Sequence, residues 1–200
     1  MAEAATYTFD HLIADIQQVF ATTPDPRVQA EKVAGHMQRL LAIPGCLDER
    51  LDLSSKAGFG RVNIHLDETY GHPGPGFLVM CAFLPPSRQA TKSLTRGTPH
   101  DHGASWVAYG IYQGAIEQTT YHWQHPDGQR TAPLLAEKER FVQNVGEVAF
   151  FLPGEIHKTA TISDVPAVAL RVEAQVMDRV VRHRYDPETH TAEMFQAAGR

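Results

Sequence analysis

At 200 residues, 42% hydrophobic and 20% charged, with a formal net charge of −5, the chain has the composition of a globular domain large enough to bury a core without staples. Its mild acidity and lack of clustered Lys and Arg argue against a nucleic-acid partner, and no run approaches the ~18 apolar residues that cross a bilayer, so no membrane is expected. Met1-Ala2-Glu3-Ala4 lacks the basic flank and apolar run of a secretory signal, which makes a cytoplasmic location the expectation, and Cys46 and Cys81 are too few for a disulfide framework and read as reduced and buried.

In chain order, Phe9, Leu12, Ile13, Ile16, Val19 and Phe20 recur at helical spacing and predict a first amphipathic helix. Thr22-Thr23-Pro24-Asp25-Pro26 then breaks the pattern and supplies a cap with a proline suited to a first turn. Val28, Val33, Met37, Leu40 and Leu41 predict a second helix, stopped at Pro44-Gly45. A short third helix is expected from Asp48 to Leu53. Neither stripe can be buried alone, so this extension, residues 1–57, is expected to pack on the remainder of the chain.

From 58 to 200 the pattern changes to short apolar or alternating runs punctuated by turn residues. The runs are Arg61–Leu66, Phe77–Leu84, Trp106–Gln113, Ala115–Trp123, Phe141–Asn144, Val148–Phe151, Lys158–Ile162 and Ala167–Val176. Many short strands predict a mainly β barrel or sandwich. Loops are expected at Gly71–Gly76 and Pro85–Thr98, and a turn-rich outer tail after Met177.

Eleven histidines are many for this length, and three have informative spacing. In an extended strand, His100 and His102 share a face while Asp101 points away. His157, in Pro153-Gly154-Glu155-Ile156-His157, can bring a third imidazole from a neighbouring strand and leave coordination positions open for substrate or oxygen. The other histidines read as hydrogen-bonded structural residues. Glu155 reads as a turn cap.

His100-Asp101-His102 with Gly114, and Pro153-Gly154 three residues before His157, resemble the two motifs of the cupin superfamily. The resemblance covers roughly residues 58–176 and implies a double-stranded β-helix, a jelly-roll-like barrel, carrying the helical extension. Val107 stands where a cupin has its glutamate ligand, and Thr161 where it has a later asparagine. A three-histidine set with a helical N-terminus is most similar to the cysteine dioxygenase (thiol dioxygenase) group, which implies Fe(II), with Ni, Mn or Zn as alternatives. A homodimer is common among cupins.

The Ser-x-His-x-Tyr run of that group aligns with Ala169-Leu170-Arg171-Val172-Glu173, so all three functional positions differ. Strand alternation alone sends Arg171 and Glu173 to solvent. The family alignment sends them inward, Arg171 to pair with a substrate carboxylate and Glu173 to orient it or handle a proton. Arg61 lies nearest the family's carboxylate-binding arginine, with a surface role equally open. Tyr109 has the parity of a cavity proton donor or of a core tyrosine; Trp106 and Trp123 read as packing residues.

The resemblance therefore implies a non-haem Fe(II) dioxygenase acting with dioxygen on a small molecule, a carboxylated thiol not clearly cysteine. The alternatives are a dioxygenase cleaving a diketone-type substrate, a metal-dependent isomerase or hydrolase, a non-catalytic small-ligand cupin, and an assembly module.

Overall fold

The computed structural model describes residues 6–51, 60–87, 97–125 and 133–196. Two helices lead, α1 (Phe9–Thr22) and α2 (Pro26–Leu41). Thr8 opens α1 with a capping box, its hydroxyl accepting from His11 N while the His11 ring accepts from Thr8 N. Asp25 caps α2 by accepting from Arg27 N and Val28 N, with Pro26 in the first turn, where a missing N–H costs nothing. Val28, expected in the buried stripe, is 38% exposed. In place of the third helix, residues 44–50 form hydrogen-bonded turns, Arg50 N and Leu51 N donating to Leu47 O; the rest of that expectation, with the boundary at 57/58, lies outside the described residues.

Among the described residues, ten strands come after the helices: β1 (Gly60–Asp67), β2 (Phe77–Leu84), β3 (Val107–Gln113), β4 (Ile116–Gln124), β5 (Leu134–Gln143), β6 (Val148–Phe151), β7 (Ile156–Thr161), β8 (Ala167–Glu173), β9 (Arg182–Asp186) and β10 (Thr191–Phe195). One sheet has the order β1-β2-β8-β3-β6 and the other β5-β4-β7, with every pairing antiparallel. The two sheets face each other across a cavity, and Ile111, Ile116, Ala167 and Ala169 pack together between them. This is the mainly β, double-stranded jelly-roll-like barrel that the sequence predicts, with the two helices as an added layer. No helix among the described residues is long and apolar enough to cross a membrane.

The helices cover the outer face of the larger sheet. Leu12, Ile16, Val33, Met37 and Leu40 form one core with Phe77, Val79, Cys81, Ala108, Val168, Leu170 and Val172. Each fully buried Leu, Ile, Val, Met or Phe side chain among them contributes roughly 1.5–3 kcal/mol by leaving water. Trp106 joins this core with its indole N–H satisfied by Gln29 Oε1 at 3.1 Å. At the rim, Gln17 of α1 donates to Asp67 Oδ2 at 2.7 Å, tying α1 to the end of β1. Neither cysteine is in a disulfide; Cys81 is buried and Cys46, expected inside, is only half-buried.

The expected outer tail is instead a hairpin, β9 paired with β10, with Arg182 and Tyr185 buried. Residues 99–101 run between β7 and β9: His100 exchanges backbone hydrogen bonds with His157, Asp101 N donates to His183 O, and Tyr185 N donates to Pro99 O. Pairing on both sides draws a charged segment into the barrel wall.

Candidate metal centre

The His-x-His segment is not the regular strand that its spacing suggests. Only His100 makes bridge pairing, and the chain turns immediately after His102. Gly103 permits that turn, with φ +58° and a hypothetical Cβ only 2.1 Å from Val181 O. Its carbonyl accepts from Gly154 N at 3.1 Å, so the two histidine motifs are joined through their glycines. Gly114 is similarly required at φ +74°, where a Cβ would lie 2.9 Å from Ala167 Cα.

His100, His102 and His157 converge, each offering a ring nitrogen within 4.8 Å of the others. No carboxylate joins them among the described residues, and Val107 is packed with Tyr109, Phe151, Met177 and Val180. Burial pushes His100 down to about 4, and His102 and His157 well below the usual imidazole range, with neighbouring rings and Arg171 adding repulsion. All three are therefore neutral at pH 7, the form that binds a metal.

Hydrogen bonds fix which nitrogens are free. His100 Nδ1–H donates to Thr98 O at 3.0 Å, and His157 Nδ1–H to Gln118 Oε1 at 3.1 Å. His157 Nε2 is left buried without a partner among the described residues, as is His102 Nδ1. Orphaned imidazole nitrogens in a cluster of this size are costly unless a cation takes their lone pairs. The donor set fits one divalent ion of borderline softness, with the pinned Nδ1 atoms setting ring orientation.

Residues around the three histidines were less visible in the sequence. Gln118, fully buried on β4, also accepts from Thr159 Oγ1 at 2.8 Å and donates to Gln143 Oε1 at 2.9 Å; Gln143 in turn donates to Tyr109 O. Asp101 points away from the rings, accepting from Tyr185 Oη at 2.5 Å, His183 Nδ1 at 3.1 Å and the N–H groups of Gly103 and His183. Although burial opposes its charge, these donors hold the carboxyl below its ordinary range. Phe151 stacks on His157 with centroids 3.7 Å apart. Glu155 accepts from Leu152 N at 2.8 Å, as a turn cap does.

Of the three rings, His100 lines a cavity of about 310 Å³, and His102 and His157 lie buried behind it. Tyr109, Arg171 and Arg61 all line it, with Ala82, Leu84, Ile116, Thr159, Thr161 and Ala169 among the other walls. Tyr109 Oη lies 3.4 Å from His102 Nε2, and burial keeps this phenol protonated by raising its pKa. Arg171 is 3% exposed and faces the cavity, the inward alternative of the two readings; β8 is buried on both faces because helices cover the other one.

Arg171 Nη2 lies 2.9 Å from Glu173 Oε1, and its guanidinium stands over the Tyr109 ring at 5.1 Å. Glu173 is not a cavity wall; its Oε2 accepts from Met177 N at 3.0 Å. The ion-pair contact is not a well-aligned hydrogen bond, and Arg171 Nε and Nη2 keep unspent donors. Arg61 is exposed, at the rim. Arg182, expected in an outer tail, is 7% exposed and its charge presses on His100, His102 and Arg171. Arg171 and Arg182 both disfavour protonation of His100 and His102, while Asp101 opposes them at His100 and Glu173 stabilises the charge of both arginines.

No family model matches the chain, and no curated protein matches it. Among solved structures it is similar to the DMSP lyase DddQ from Ruegeria pomeroyi, at 17% identity and TM-score 0.41, over 70% of this chain and 57% of that one. The chain thus spans little more than half of DddQ. It is also similar to KdgF from Halomonas sp., at 14% identity and TM-score 0.41, over 63% and 89% of the two chains. A double-stranded β-helix protein from Klebsiella pneumoniae matches at 14% identity and TM-score 0.39, over 76% and 89%. What these proteins do is theirs alone.

Proposed function

We propose that the chain is a non-haem Fe(II) dioxygenase that oxidises a small carboxylated thiol. The observation that carries this reading is the convergence of three neutral imidazoles, His102 and His157 fully buried and His100 half-buried, with His100 and the buried Arg171 guanidinium lining one small cavity. Ferrous iron on His100, His102 and His157 would supply open positions for an anionic sulfur and for dioxygen, bringing the two reactants into one geometry. A donor set without carboxylates leaves the site its positive charge, which suits an anionic substrate.

Arg171 binds the substrate carboxylate through its unspent donors. Glu173, held by Met177 N, positions Arg171 and does not reach the reacting atoms. Tyr109 keeps its proton on Oη and presents it beside His102, where it hydrogen-bonds an anionic atom in the cavity. The apolar walls exclude water from the thiolate. Both atoms of dioxygen end on sulfur, giving a sulfinate from a thiolate with no external reductant.

Oxygen consumption by the iron-loaded protein over a panel of thiols and diketones tests this. Uptake matched mole for mole by sulfinate from a carboxylated thiol is expected, with decarboxylated thiols much poorer. Turnover of any substrate under argon would contradict it in favour of a metal-dependent isomerase or hydrolase. Uptake with diketones alone would move the substrate to carbon.

A further inference from the structure

We propose that Thr161 is a second substrate anchor, and that the substrate is a small carboxylic acid whose chain runs on past the three histidines and ends in an oxygen acceptor seated on the Thr161 hydroxyl. The proposal rests on the reading of Arg171 as the carboxylate site.

His157, Thr159 and Thr161 alternate along β7 and share the face turned into the barrel. Four residues at about 3.3 Å each carry Thr161 roughly 13 Å along the strand from the metal-ligand position. Thr159 spends its hydroxyl on Gln118. Thr161 does not: it lines the cavity, is 6% exposed, and its Oγ1 has no hydrogen-bond partner among the described residues.

A buried hydroxyl without a partner is a net cost, and a valine of the same shape would avoid it. Buried polar atoms without a hydrogen-bond partner among the described residues therefore lie beside the cavity at two places, Arg171 and Thr161, with Leu84, Ile116 and Ala169 as apolar wall. A short acid such as propionate, held at Arg171 and the histidines, leaves that wall and Thr161 uncovered. A longer chain ending in oxygen covers the wall and satisfies the hydroxyl. Arg61 at the rim makes a terminal carboxylate the best-suited ending.

Calorimetric titration of the full chain, metal-free and zinc-loaded, with dicarboxylates from succinate to pimelate tests this, using butyrate and hexanoate as one-ended controls. Affinity is expected to rise with length to an optimum, and Thr161→Val to weaken the optimal dicarboxylate about tenfold while leaving the monocarboxylates unchanged. Thr161→Ser is expected to restore the preference. Absence of a length optimum in the wild type, or a Thr161→Val variant that binds every dicarboxylate like wild type or loses both series alike, would overturn the proposal. Arg171→Met tests the underlying reading separately: it should weaken every carboxylate at every length. If it is silent while Thr161→Val stays selective, the carboxylate anchor of the proposed function falls and Thr161 stands alone.

Discussion

Strand β8 is buried along its whole length, but its two faces are built from opposite chemistry. Val168, Leu170 and Val172 pack under α1 and α2 in a continuous apolar core, while Ala169, Arg171 and Glu173 face the barrel interior. The outer face is stabilised by area removed from water and tolerates exchange among apolar residues of similar volume. The inner face holds charge, which is costly inside a protein unless it is paired or has a task. The helical layer is thus a stability element, and the freedom to be polar inside comes from the sheet having its apolar partner outside.

This separation can be broken at either face. The largest effect is expected on the inner side: His157→Ala should reduce bound metal from one per chain to near zero, measured by elemental analysis, with the fold retained. Next comes the helical face, where Met37→Ala or Leu12→Ala should cost about 2–5 kcal/mol in denaturant unfolding and leave metal affinity unchanged. A matching loss of metal affinity would show that the two faces are coupled.

Smaller effects sharpen the boundary between ligands and support. Gln118→Leu removes the acceptor that fixes His157 Nδ1 and should weaken metal binding about 10- to 100-fold by competition titration. Tyr185→Phe removes one donor to the buried Asp101 carboxylate and should cost about 1.5–3 kcal/mol of stability, with a smaller loss of metal affinity. The smallest effect concerns Asp67. Burial opposes its charge, but hydrogen bonds from Gln17, Tyr70 and Thr69 hold its carboxyl below the usual value, so its contribution is present above the unfolded-state pKa near 4 and is lost as pH falls through the lower folded value. The melting temperature of wild type should drop more steeply than that of Asp67→Asn on acidification below about pH 4.

What is legible in the sequence comes from local periodicity and from glycine. The helical stripes, most of the strands and the three histidines need only neighbours in sequence, and Gly114 marks a turn that admits no Cβ. The orientation of Arg171 is not legible from alternation, because the rule that apolar residues face inward fails where both faces are covered. Gln118 and Asp101 carry no local mark of their roles because their partners lie 39 and 84 residues away. Arg182 and Tyr185 read as a charged tail because nothing local signals that β9 pairs beside Pro99–Asp101. The regular strand expected at His100–His102 fails for the same reason: its pairing is long-range and ends at His100.

Anaerobic titration of the full chain with Fe(II), followed by equilibrium dialysis and metal analysis, tests the three-histidine centre most directly. One tightly held ion per chain is expected, lost in each of His100→Ala, His102→Ala and His157→Ala while the folded far-ultraviolet spectrum persists. Stoichiometric binding that survives all three substitutions, or a wild-type chain that holds no divalent metal, would contradict it.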